Sequence, residues 1–121
     1  MENKRTMVIG ASPNPERFSY KAVSLLQKYG HQVEAIGIKS GTINDIEIQK
    51  GYPQIQGIHT ISLYIGTQRQ PEYYEYILSL SPKRIIFNPG TENNELENMA
   101  KEAGIEVAEA CTLVMLNTGK Y

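Results

Sequence analysis

The sequence predicts an α/β fold: an open, mostly parallel, doubly wound sheet of about five strands with helices on both faces. Three observations predict it. Short β-rich runs alternate along the chain with segments of helical periodicity, the signature of βαβ units. The first run, Thr6–Gly10 (TMVIG), is apolar without alternation, as a strand buried on both faces requires. A bend containing glycine, serine and proline then leads straight into a helical pattern.

Each element follows in order. From Ser19 to Tyr29, the residues Ala22, Val23, Leu25, Leu26 and Tyr29 recur at helical spacing, and Gly30 stands where a C-terminal cap is wanted. His31–Ile38 (HQVEAIGI) reads as the second strand. Residues 41–57 are rich in glycine and polar side chains and read as a connection with at most a short strand or helical turn. Ile58–Ile65 (IHTISLYI) alternates in a strand-like way. Pro71 suits the first position of a helix that carries Tyr73, Tyr74, Ile77 and Leu78 on one side. Arg84–Phe87 is the fourth strand. Thr91 is placed to cap the next helix, whose stripe is Leu96, Met99, Ala100 and Ala103 and which Gly104 ends. Ile105–Ala108 is the last strand, and the tail CTLVMLNTGKY folds back as a short apolar segment. With right-handed crossovers, this order gives a Rossmann-like sheet.

Bulk properties exclude several classes. A chain of 121 residues fits one domain, 1–121, and its 40% hydrophobic content suffices for one core. The longest apolar run, Leu113–Leu116, falls far short of the ~20 residues of a spanning helix. The polar start MENKRTMVIG carries no secretory pattern, so a cytoplasmic protein without membrane association is expected. A lone cysteine, Cys111, excludes an internal disulfide and a multi-thiolate metal site. The net charge of −1, with both signs mixed along the chain, argues against nucleic acid as a partner. It leaves room for a few cations gathered round a small phosphorylated ligand.

The bend Gly10-Ala11-Ser12-Pro13-Asn14-Pro15-Glu16-Arg17-Phe18-Ser19 is the best candidate for such a site. In doubly wound sheets, ligands bind beyond the carboxyl ends of the strands, where strand order reverses. Gly10 and Ala11 let backbone approach a ligand, Ser12 and Ser19 offer hydroxyls, and Ser19 is placed to cap the helix. The helix start supplies free amides and a favourable dipole for an anion, and Arg17 and Lys21 flank it. The bend keeps only the first glycine of G-x-G-x-x-G. An NAD-binding domain usually has a carboxylate after the second strand to bond ribose hydroxyls. Here Ile38-Lys39-Ser40-Gly41 stands there, and a lysine favours a ribose phosphate, the 3′-phosphate of coenzyme A or the 2′-phosphate of NADP.

At these residues the chain resembles the coenzyme A-binding domain family, small bacterial proteins related to the N-terminal domain of succinyl-CoA synthetase α subunits. The matching segments are VIGASPNPERFSYKAVSLLQKYGHQV, NNELENMAKEAGIEV and EACTLVML. The resemblance implies a domain that holds the ADP part of coenzyme A across the first bend. It implies that Gly10, Ala11, Ser12, Arg17, Phe18 and Ser19 face the pyrophosphate and that Lys39 lies by the nucleotide phosphates. Gly66, Thr67 and Gln68 would line the adenine or pantetheine side, and Asn88, Pro89 and Gly90 the far wall. The chain departs from the family at three turns. Many members have Asn-Pro after the second strand, an aromatic and an arginine after the third, and a glutamine before the glycine after the fourth.

No catalytic set is expected. His31 lies at a helix–strand turn and His59 near a strand start, away from the carboxyl ends. Ser12 lacks the elbow's second glycine and any Asp or His partner. Asp45, the only aspartate, sits in a connecting segment, which excludes a phospho-accepting aspartate at a strand end. Cys111 reads as a structural thiol. The expectation is a stand-alone binder of coenzyme A or acyl-CoA that is not catalytic by itself and acts through a protein partner or homo-oligomer. The alternatives are an NADP-dependent oxidoreductase and a degenerate nucleotide-binding fold used in protein–protein contacts.

Overall fold

Thr6 and the three consecutive apolar side chains after it make β1 (Thr6–Ile9) fully buried, with Met7 and Ile9 on one face of the sheet and Val8 on the other. The computed structural model describes residues 2–121. Parallel pairing runs outward from β1 to β2 (Val33–Ile36) on one side and to β5 (Thr60–Leu63) on the other, with Thr6 opposite both Val33 and Thr60. Beyond β5 lie β6 (Arg84–Phe87) and β7 (Glu106–Glu109), both parallel. With β3 (Thr42–Ile43) and β4 (Ile46–Gln49) beyond β2, the sheet of the described residues has seven strands, in the order β3-β4-β2-β1-β5-β6-β7, rather than about five.

The two additional strands come from the segment expected to be a connection. Thr42–Ile43 (β3) and Ile46–Gln49 (β4) form a small antiparallel hairpin, and β4 also pairs parallel to β2. Asn44 takes the positive φ of 56° at the turn, a conformation asparagine tolerates better than most residues. Ile43 and Ile48 are buried by the hairpin. These few apolar positions are enough because the hairpin borrows a covered face from β2 and helix α1 (Phe18–Lys28).

Helices cover both faces. On one side α1 (Phe18–Lys28) packs with α4 (Thr112–Asn117) over Val8, Ala35 and Ile86. On the other side lie a 3₁₀ turn (Gln70–Tyr73) that leads into α2 (Tyr74–Ser79), and α3 (Asn94–Glu102). Tyr76, Ile77, Leu96 and Ala100 there cover Met7, Ile61, Ile85 and Phe87. A fully buried Leu or Ile of this kind is worth about 1.5–3 kcal/mol. The apolar tail is therefore a helix, α4.

Two caps differ from expectation. Asn93, not Thr91, caps α3, its side chain accepting from the amides of Glu95 and Leu96. Thr91 instead donates its hydroxyl to the Asn88 carbonyl. Ser19 does not cap α1; it is the second residue inside the helix, and Arg17 occupies the cap without a side-chain bond. No helix among the described residues is long and apolar enough to cross a membrane.

Candidate functional site

The chain reverses its direction of growth across the sheet between β1 and β5, and there the strands' carboxyl ends open into a cleft of about 440 Å³. Its floor depends on close backbone packing. A Cβ on Gly10 (φ +96°) would lie 2.8 Å from the backbone of Tyr64, and one on Gly37 would lie 2.3 Å from the Ala11 carbonyl. Glycine is required at both positions by space, and at Gly10 by conformation as well. The amides of Gly10 and Ala11 are both bonded to the Ile36 carbonyl at 2.9 Å. These two residues therefore supply close approach to a ligand rather than donors.

The donors come from further along. Two prolines remove amides at positions 13 and 15. The Asn14 amide bonds Ser12 Oγ, the Glu16 amide bonds Asn14 Oδ1, and the Arg17 amide bonds the Asn14 carbonyl. Asn14 thus winds the bend on itself. Among the described residues, the amides of Ser12, Phe18, Ser19 and Tyr20 bond no protein acceptor. The Ser12 hydroxyl accepts from Asn14 and keeps its own proton for a ligand. Uncapped first-turn amides next to a cleft are the arrangement that holds an anion.

Charge points the same way. Arg17, Lys39 and Arg69 line the cleft, and no carboxylate among the described residues does, although the chain as a whole carries −1. None of the three forms a salt bridge among the described residues. Phe18 and Ile38, 67% and 64% exposed, bring apolar surface to the rim. Tyr64, Ile65, Tyr73 and Pro89 give the remaining wall an apolar character. Burial pushes the Tyr64 phenol up to about 12, with a further contribution from the nearby Cys111, so it is neutral at physiological pH.

Of the residues singled out in the sequence, Gly10, Ala11, Ser12, Arg17, Phe18, Ser19, Lys39, Gly66, Pro89 and Gly90 line this cleft. Thr67 and Gln68 are exposed and lie outside the lining. Asn88 is corrected outright: it is 1% exposed and used within the protein. Its Nδ2 donates to Ser62 Oγ (2.9 Å) and the Leu63 carbonyl (2.8 Å), and its Oδ1 accepts from the Thr112 amide (2.8 Å). It pins α4 to β5 and β6. The family resemblance gave a position after β6, but it did not give the direction of the side chain.

Sequence reasoning missed Arg69, Tyr64 and Asn14 as lining residues. It also missed Gln70, which is fully buried and sets the wall. Its Nε2 donates to the carbonyls of Ile65 and Thr91 (3.0 and 2.8 Å), and its Oε1 accepts from Asn93. The turns after β5 and β6 are thereby held together. A glutamine directly before Pro71 carried no periodic signal that would have revealed this. His31 and His59 lie at the opposite, amino end of the sheet, where His31 Nδ1 accepts from the Lys4 amide. Burial, then Lys4 for His31 and Arg84 for His59, lowers both their pKa values.

Comparison with known proteins agrees with this geometry. A crystal structure of an uncharacterised protein superposes with a TM-score of 0.98 at 45% identity, covering 100% of both chains. A hypothetical protein from Pyrococcus horikoshii OT3 gives 0.85 at 24% identity, over 96% of this chain and 83% of that one. A Thermus thermophilus protein gives 0.85 at 20% identity, over 98% and 91%. These two more distant matches show the shared fold. A search of curated proteins gives no significant match. The model of the CoA binding domain matches residues 4–117, and with that extent of match, this chain belongs to the CoA-binding domain family.

Proposed function

We propose that the protein is a stand-alone binder of coenzyme A or its thioesters that performs no chemistry on the cofactor by itself. The observation that carries this reading is a cleft with three cations, no carboxylate among the described residues, and unbonded amides at Ser12 and in the first turn of α1. The residues fit the group. The first turn of α1, with the Ser12 and Ser19 hydroxyls and Arg17, would hold the pyrophosphate, and Lys39 would take the ribose 3′-phosphate. Phe18 and Ile38 offer apolar surface for the adenine, and the wall of Ile65, Tyr73 and Pro89 receives the uncharged pantetheine arm. No histidine, aspartate or glutamate among the described residues lines the cleft to move a proton, and burial raises the pKa of its two phenols. A protein partner or a second copy that uses the bound cofactor belongs to the same proposal.

Isothermal titration with coenzyme A, dephospho-coenzyme A, NADP and ATP tests it. Coenzyme A is expected to bind about tenfold tighter than its dephospho form, which is ~1.4 kcal/mol. Lys39→Ala is expected to erase that gap while leaving dephospho-coenzyme A unaffected. Binding of NADP without coenzyme A would turn the reading towards the redox alternative. Binding of no nucleotide would leave only the protein–protein reading.

A further inference from the structure

The wall of the cleft beyond β5 and β6 is made by two turns that little packing holds. Gly66–Arg69 after β5 and Pro89–Gly90 after β6 are exposed, and the pairing of their strands ends at Leu63 opposite Phe87. No backbone hydrogen bond joins one turn to the other among the described residues. Gln70 spans the gap. Fully buried, it folds back five residues to the Ile65 carbonyl and so closes the Gly66–Arg69 loop, and it reaches across to the Thr91 carbonyl behind Gly90. Its neighbours determine which way its amide points. Two carbonyls can only accept, so Nε2 must face them. Asn93 Oδ1 is committed to the amides of Glu95 and Leu96, so Asn93 Nδ2 meets Gln70 Oε1, and it also donates to the Tyr74 hydroxyl. The amide is thus held from both ends. Ile65 and Thr91, whose carbonyls it binds, line the cleft, as do Arg69 before it and Tyr73 one turn after it, whereas Gln70 itself does not.

Resting on the assignment of the cleft to coenzyme A, we propose that Gln70 is a positioning residue for the pantetheine arm: it touches no part of the ligand and fixes the separation of the two turns that receive the arm. The phosphates do not depend on it. Their donors are the α1 amides, Ser12, Arg17 and Lys39, which come from the bend after β1 and the end of β2. Close backbone packing at Gly10 and Gly37 holds that side of the cleft. The arm carries no charge with which to order a wall around itself, so its binding relies on a surface that is ordered beforehand. A chain without the links of Gln70 therefore keeps the nucleotide and loses the arm.

Adenosine 3′-phosphate 5′-diphosphate has every phosphate of coenzyme A and lacks only the arm, so the ratio of the two affinities reads the arm alone. Isothermal titration of the whole protein with both ligands is the test, at a temperature where melting curves show each variant folded. The parent is expected to bind coenzyme A ~tenfold tighter than the truncated nucleotide, which is ~1.4 kcal/mol. Gln70→Met, similar in volume and without the bonds, is expected to bring the two within about twofold of each other by weakening coenzyme A alone. Asn93→Asp keeps the cap of α3 but cannot donate to Gln70 Oε1, and is expected to lower the ratio about threefold. Ile58→Ala, a buried change before the amino end of β5, is the control for lost stability and is expected to leave the ratio unchanged. A Gln70→Met variant with the parent's ratio overturns the inference, and so does one that loses both ligands alike, because Gln70 then supports the fold as a whole. If Gln70→Met does not fold, an unchanged ratio in Asn93→Asp overturns it. Ile58→Ala lowering the ratio as far as Gln70→Met does so too. Equal affinity of the parent for both ligands overturns it and spares the phosphate site. Failure of both ligands to bind the parent removes the cleft assignment and this inference together.

Discussion

Asn88→Ala separates a scaffold role from a ligand role at the end of β6. The native side chain makes three bonds of 2.8–2.9 Å in a fully enclosed site, to Ser62 Oγ, the Leu63 carbonyl and the Thr112 amide. Each such bond is worth ~1 kcal/mol net, and a buried group left without its partner costs ~1–3 kcal/mol. Ser62 Oγ keeps Thr112 Oγ1 as a partner at 2.8 Å, so most of the penalty falls on the Thr112 amide. The sum is about 3–5 kcal/mol, a large part of the 5–15 kcal/mol stability of a typical domain. Near this chain length, 1 kcal/mol moves the melting temperature by ~3–5 °C, so a drop of about 10–20 °C is expected. Urea unfolding gives the free energy, and hydrogen exchange of the α4 amides locates the loss. Asn88→Asp is expected to be no milder, because it replaces a donor aimed at the Leu63 carbonyl with a buried charge. A variant that melts within ~3 °C of the parent but binds coenzyme A tenfold more weakly would refute the scaffold assignment.

Further outcomes are expected elsewhere in the chain. Gly10→Ala forces a Cβ to 2.8 Å from the Tyr64 backbone at φ +96°, so it should destabilise the fold by about 2–4 kcal/mol and weaken coenzyme A binding, both read in one thermal-shift series. Glu97, 8% exposed, has its pKa raised by burial and then by the neighbouring Glu109 carboxyl. An acid with a raised folded pKa stabilises below its unfolded value and loses that contribution as pH rises through the folded one. Glu97→Gln is therefore expected to raise stability at neutral pH and flatten the urea midpoint above pH 4.5; unchanged midpoints would count against a raised pKa at Glu97. For His31 and His59 the folded pKa is lowered, so their neutral forms stabilise above about 6.5 and the contribution is lost as pH falls towards the folded values. Stability should thus decline from pH 6.5 to 5, and a His31→Gln, His59→Gln variant should decline less; parallel curves would refute the assignment.

The fold class was legible because its signals are local. The run of Thr6 to Ile9, the helical stripe on α1 and the glycines closing α1 and α3 each sit within a few residues. The hairpin of β3 and β4 was not legible, since its strands are too short to carry a period and gain their covered face only from β2 and α1. The helix in the tail was likewise decided by what it packs on: Leu116 is buried against the Val8 and Ile86 face.

For the site, the sequence by itself determined the composition of the first bend and the lysine after β2, because spacing along one strand–turn–helix unit fixes which backbone and which cations are near each other. Tertiary structure alone decided the rest. Only the order β2-β1-β5 brings Arg69 into the same cleft as Arg17 and Lys39. Only the packing of α4 against β5 and β6 turns Asn88 inward to Thr112. Side-chain direction and charge gathered from distant segments depend on strand order and helix docking, and no window of neighbouring residues encodes them.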